Sequence, residues 1–166
     1  MKRLPLVAAL AVLALFAIPA HADYPGQCSG GQTQYSLTAN DDTRNYANPV
    51  CVDGLGGNDD LTLSSDADTA WGDGGGDTIA GKGGNDVIYG GASADLLYGD
   101  AGQDYLNGGG SGDIIHDGTN PSGSGDVIVD GDANSELYHC TGAGSNGNDD
   151  DLSGFSGSVF HGPGYC

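Results

Sequence analysis

Gly81-Lys82-Gly83-Gly84-Asn85-Asp86-Val87-Ile88-Tyr89 decides how this chain folds. Six glycine-rich residues that tolerate tight, left-handed backbone lead into three that favour a strand. In a strand that short, Ile88 faces one way and Val87 and Tyr89 face the other. The unit recurs. Asp59, Asp68, Asp77, Asp86, Asp95, Asp104 and Asp113 follow one another at intervals of nine. Two residues after each stands a non-polar side chain: Leu61, Ala70, Ile79, Ile88, Leu97, Leu106 and Ile115. Gly54, Gly72, Gly81, Gly90, Gly99 and Gly108 each precede their Asp by five. Four residues are inserted at Asn120 to Gly123, after which Asp126 with Ile128 resumes the pattern and Ser135 with Leu137 closes it. One unit cannot bury its own apolar face, but stacked units can, so the period predicts a solenoid.

The chemistry of the turns is that of a hard-cation site. Calcium takes six to eight oxygens in flexible geometry. Glycine lets main-chain carbonyls crowd inward, and each terminal Asp adds carboxylate oxygen and charge. The composition agrees. The chain has 166 residues, 23 acidic against 4 basic, and a formal charge of −19. All the acids are Asp except Glu136, whereas a solvated acidic tail is usually Glu-rich and unphased. So acidic a chain lacks the basic footprint of nucleic-acid binding and is not drawn to anionic membrane surfaces.

These units resemble the G-G-x-G-x-D-x-U-x nonapeptides of the RTX, or haemolysin-type, calcium-binding proteins, U being a large aliphatic. The resemblance covers about residues 54–138. It implies an all-β fold: a parallel β-roll of about nine nonapeptide units, two to a turn, with calcium between neighbouring turns on one edge. Repeats 18 residues apart would then share an ion. Carried over, this pairs Asp59 with Asp77, Asp77 with Asp95 and Asp95 with Asp113 along one edge. Along the other it pairs Asp68 with Asp86, Asp86 with Asp104, and Asp104 with Asp126. That is up to about six Ca2+ ions. Main-chain oxygens would come from Gly54, Gly56, Gly72, Gly74, Gly81, Gly83, Gly90, Gly99 and Gly108. Departures fall at Leu55, Asp73, Lys82 and Asp100 in the second glycine place, at Asp66, Ser93 and Ser111 in the fourth, and at Leu63 in the first. They leave Asp59, Asp77, Asp86, Asp95 and Asp104 as the firmest ligands.

Four segments are expected. Residues 1–22 read as a secretory signal peptide: Lys2 and Arg3, an apolar run from Leu6 to Ile18 too short for a comfortable span, then Ala20-His21-Ala22. Its removal would leave no membrane span and a charge of −21, since only Arg44 and Lys82 would then oppose the acids. Residues 23–53 are expected as an N-terminal cap, 54–138 as the roll, and 139–166 as a C-terminal cap. The protein is therefore expected to be secreted and extracellular, with the periplasm as the other destination. Cys28, Cys51, Cys140 and Cys166 suggest two disulfides, for which three connectivities exist. Cys28–Cys51 and Cys140–Cys166 are the simplest, and each would staple one end.

Nothing in the sequence carries catalysis. His116, His139 and His161 sit in no nucleophile or zinc motif, so the chain is expected not to be an enzyme. Its expected role is a secreted calcium-binding module, an extracellular binding or surface part whose folding is coupled to the ions. The alternative is a small secreted enzyme or toxin using a Tyr/His face. The register turns Trp71, Tyr89 and Tyr105 outward from one sheet, a possible glycan or protein platform. It turns Leu96, Tyr98, Ile114, His116 and Tyr138 outward from the other.

Overall fold

A computed structural model of the chain describes Cys28 and residues 31–119, 125–130, 132–140 and 151–162. The expected signal segment lies outside these residues, as does the Cys166 half of the second expected disulfide. Among the described residues there is no helix, and hence none long and apolar enough to cross a membrane.

The strands wind into two parallel sheets of seven. The first contains β1 (Thr33–Ser36), β3 (Val50–Asp53), β5 (Thr69–Gly74), β7 (Val87–Ala92), β9 (Tyr105–Gly110), β11 (Val127–Asp130) and β13 (Asp151–Phe155). The second contains β2 (Thr43–Asn45), β4 (Asp60–Thr62), β6 (Thr78–Ala80), β8 (Leu96–Tyr98), β10 (Ile114–His116), β12 (Glu136–Cys140) and β14 (Ser158–Gly162). Odd strands pair only with odd and even only with even, in chain order. The chain therefore crosses from one sheet to the other after every strand, making a β-roll of about six turns.

Register makes the core a pair of files. Val52, Ala70, Ile88, Leu106 and Ile128 stack across the first sheet. Leu61, Ile79, Leu97, Ile115 and Leu137 stack across the second. All ten are fully buried. The apolar residue two places after each Asp is thus the inward one, as alternation requires. The four-residue insertion does not break the files: Ile115 opposes Leu137 and Leu106 opposes Ile128, each 22 residues on. Leu63 joins this core although it stands in a glycine place of the repeat.

The segment before the repeats adds rungs to the same roll. β1 pairs with β3 and β2 with β4, and Tyr46, Val50 and Val52 extend the core. A disulfide joins Cys28 to Cys51, whose half-cystine lies in β3. At the other end, β13 and β14 continue the two sheets past β11 and β12.

Aromatic rows run along both outer faces. On the second sheet Tyr98, His116, Tyr138 and Phe160 stack one per rung, with ring centroids 4.7, 4.8 and 5.1 Å apart. On the first sheet the expectation of a displayed Trp71 is corrected. Its indole is only 5% exposed and lies face to face with Tyr89 at 5.9 Å. The two residues are in register on adjacent rungs, so two flat rings cover one another. Tyr105 stands opposite Val87 instead, one strand place earlier, and meets Tyr89 at a tilt.

Candidate metal centre

The turns between sheets stack into two edges. One carries the turns ending at Asp59, Asp77, Asp95 and Asp113; the other, those ending at Asp68, Asp86, Asp104 and Asp126. Along each, Oδ1 of one Asp accepts a hydrogen bond from the main-chain N–H of the Asp one coil earlier. Asp77, Asp95 and Asp113 receive Asp59, Asp77 and Asp95 N–H at 2.8 Å. Asp86, Asp104 and Asp126 receive Asp68, Asp86 and Asp104 N–H at 2.7–2.9 Å. This carboxylate-to-amide ladder is why the repeat needs Asp: a short side chain at the end of the turn reaches the previous coil.

The other oxygen is the informative one. Oδ2 of Asp59, Asp77, Asp86, Asp95, Asp104 and Asp113 is buried and accepts no hydrogen bond from the protein. A buried polar atom without a partner calls for an explanation, and an ion is one. Each of these oxygens is aimed at the first glycine of its own turn. A Cβ built on Gly72 would meet Asp77 Oδ2 at 2.2 Å and the Gly90 carbonyl at 2.6 Å. Gly54, Gly81, Gly90 and Gly99 repeat the arrangement: the carboxylate oxygen lies at 2.4–2.7 Å and a carbonyl of the next coil at 2.4–2.7 Å. Because glycine has no side chain, two oxygens from successive coils close in beside it, and we call the place where they meet a cradle. Gly56, Gly74 and Gly83 stand two places further on, where a Cβ would meet only carbonyls at 3.4 Å or more.

Burial governs the protonation of these groups. It pushes Asp86 and Asp104 up to about 8, Asp95 to about 7, and Asp59 and Asp113 to about 6, with the bonded amide pulling the other way. Asp77 is raised by the same cause. Charged carboxylates in such surroundings are costly unless a cation joins them. Among the described residues no three carboxylate, His or Cys side chains converge on one point. The oxygens on offer are instead one carboxylate per turn together with main-chain carbonyls.

Two expected ligands stand apart. Asp68 has both oxygens engaged: Oδ1 accepts from Val50 N–H at 2.6 Å, and Oδ2 from Ser64 N–H at 2.7 Å and Ser64 Oγ at 2.8 Å. Thr38 holds Asp42 in the same way. Asp126 takes its place in the ladder, but its other oxygen is not among the orphans. Sequence reasoning passed over Ser64, Asp117 and Asp130, and weighed His139 only for catalysis. Asp117, Asp130 and His139 occupy the first-glycine place of the last coils, a substitution visible once the phase is carried past the insertion. There His139 Nδ1 bonds Asp117 Oδ2, both buried.

The comparisons agree with this geometry. The family model for the RTX calcium-binding nonapeptide repeat matches in four copies, with ranges that include 53–88, 71–106 and 81–115. Residues 53–115 are therefore RTX nonapeptide repeats, and repeats of this kind bind calcium. No curated protein and no solved structure matches the chain.

Proposed function

We propose that this protein is a secreted calcium-binding module in which up to six Ca2+ ions hold successive coils together. One observation carries the reading: a buried, unpartnered Oδ2 recurs beside the first glycine of turn after turn. Asp59, Asp77, Asp95 and Asp113 would hold ions on one edge, and Asp86 and Asp104 on the other. The carbonyls of Gly72, Gly90, Gly99, Gly108 and Asp117 would join them. Bound calcium supplies positive charge among the carboxylates. The chain supplies oxygens already positioned by the amide ladder, and glycines that let oxygens of successive coils close in. Asp68 would hold none, because Ser64 satisfies it.

Folding and binding are coupled in this reading. The core is two single files of aliphatics, and the excess of acidic groups repels itself until cations arrive. The Cys28–Cys51 disulfide and a leader-like start support a destination outside the cytosol. The role we assign is binding: among the described residues the buried carboxylates are spread along two edges rather than gathered at one point.

A circular dichroism titration from chelator to millimolar calcium, with magnesium as control, tests the coupling. A calcium-specific gain of β signal is expected. Calorimetry showing no calcium bound would overturn the reading.

A further inference from the structure

The cradles change character at one point. In five of them, the position a glycine Cβ would take lies between a carboxylate oxygen and a main-chain carbonyl of the next coil. At Gly108 the carbonyl is replaced. That position lies 2.5 Å from Asp113 Oδ2 and 2.6 Å from Asp130 Oδ2. Asp130 stands where the repeat puts its first glycine, so it brings a second carboxylate to the place where other coils bring only backbone.

Both carboxylates are fixed. Asp113 Oδ1 accepts from Asp95 N–H and Asp130 Oδ1 from Asp132 N–H, each at 2.8 Å. Asp113 is 0% and Asp130 1% exposed. Neither Oδ2 meets a donor from any other described residue, and the two are close enough to each other to share a proton. Two buried oxygens of like charge thus converge beside Gly108, each carboxylate held by a main-chain amide. Among the described residues the basic side chains are engaged elsewhere: Lys82 bonds Asn45, Arg44 pairs with Asp42, His139 with Asp117, His116 stacks on Tyr138 and His161 meets His139. Such a pair needs a cation or a shared proton.

We propose that Asp113 and Asp130 form a two-carboxylate divalent-cation site that fills at lower calcium concentration than the single-carboxylate cradles. It rests on the reading that the roll binds calcium, and adds that one site differs in kind. Affinity for calcium rises with the number of ligand charges, and beside Gly108 two carboxylate oxygens converge where the other five glycines meet one.

Calcium titrations of the disulfide-intact protein at neutral pH, against a chromophoric chelator, test it. The wild type is expected to bind one ion at least about tenfold more tightly than the rest. Asp130→Gly, which installs the residue of the other coils, should move that ion into the weak class. Asp130→Asn keeps an oxygen for the Asp132 amide and should do the same. Asp95→Asn should remove a weak ion and spare the tight one. A single class of sites in the wild type, or a tight ion that survives both Asp130 variants, would overturn the proposal and leave calcium binding standing. A wild type that binds no calcium would overturn the parent reading as well. Circular dichroism in saturating calcium checks that each variant folds.

Discussion

Asp86 and Asp68 are the same residue in the same repeat place, one coil apart on one edge, yet their environments are opposite. Asp68 accepts from Val50 and twice from Ser64. Asp86 accepts only through Oδ1, and its Oδ2 is orphaned. Asp86→Asn is therefore expected to bind one calcium ion fewer, while showing more β signal than wild type in chelator because a buried charge is gone. Asp68→Asn should keep the ion count and cost about 1–3 kcal/mol, since a buried N–H loses its acceptor. Calorimetry and urea titrations in saturating calcium separate the two; an ion lost from Asp68→Asn would sink the distinction. Backbone strain sits beside these groups. Leu55, Asp73, Lys82 and Asp100, in the second glycine place, have φ of 66–69°, and Ser93 and Ser111, in the fourth, have φ of 83–84°. A side chain there costs roughly 1–2 kcal/mol, partly offset by the entropy glycine would lose on folding. Lys82→Gly should therefore raise stability by up to about 1 kcal/mol in a urea titration with calcium present.

Strands and turns were the most legible level, because two independent clocks, Asp and aliphatic, agree on nine residues. Alternation inside a three-residue strand then leaves no choice about which side chain enters the core. The amide ladder was not legible: no spacing says which carboxylate oxygen bonds an N–H and which stays bare. Nor was the burial of Trp71, which depends on the ring one rung away. Leu63 is the instructive case. It breaks the motif, yet it is fully buried and packs with the aliphatic files. Its turn has given up the glycine cradle, and Ser64 caps the carboxylate instead. Restoring the consensus with Leu63→Gly is thus expected to destabilise the roll by about 2–5 kcal/mol, the cost of an emptied core position, and to leave the calcium stoichiometry unchanged. Denaturant unfolding with calcium present reads the first effect and calorimetry the second. A stabilised variant would show that the repeat pattern outweighs packing here.

At the scale of the whole roll, the buried carboxylates give stability a pH dependence whose sign depends on calcium. Folding lifts Asp59 and Asp113 to about 6, Asp95 to about 7, and Asp86 and Asp104 to about 8, burial being the main cause. In the unfolded chain they titrate near the ordinary value of about 4. Between about 4 and 8 the native state therefore holds more protons than the unfolded one, so stability falls as the pH rises. The contribution is fully present below about 4 and lost as the pH climbs through the folded values. Repulsion among the excess acids acts in the same direction. Saturating calcium reverses the slope, because protons and ions then compete for the same oxygens and binding strengthens as protons leave. In chelator the β signal should be larger at mildly acidic than at mildly alkaline pH, and thermal melts in excess calcium should show the higher Tm at mildly alkaline pH. A β signal in chelator that rises with pH would mean that the cradles admit water when the metal-free coils close.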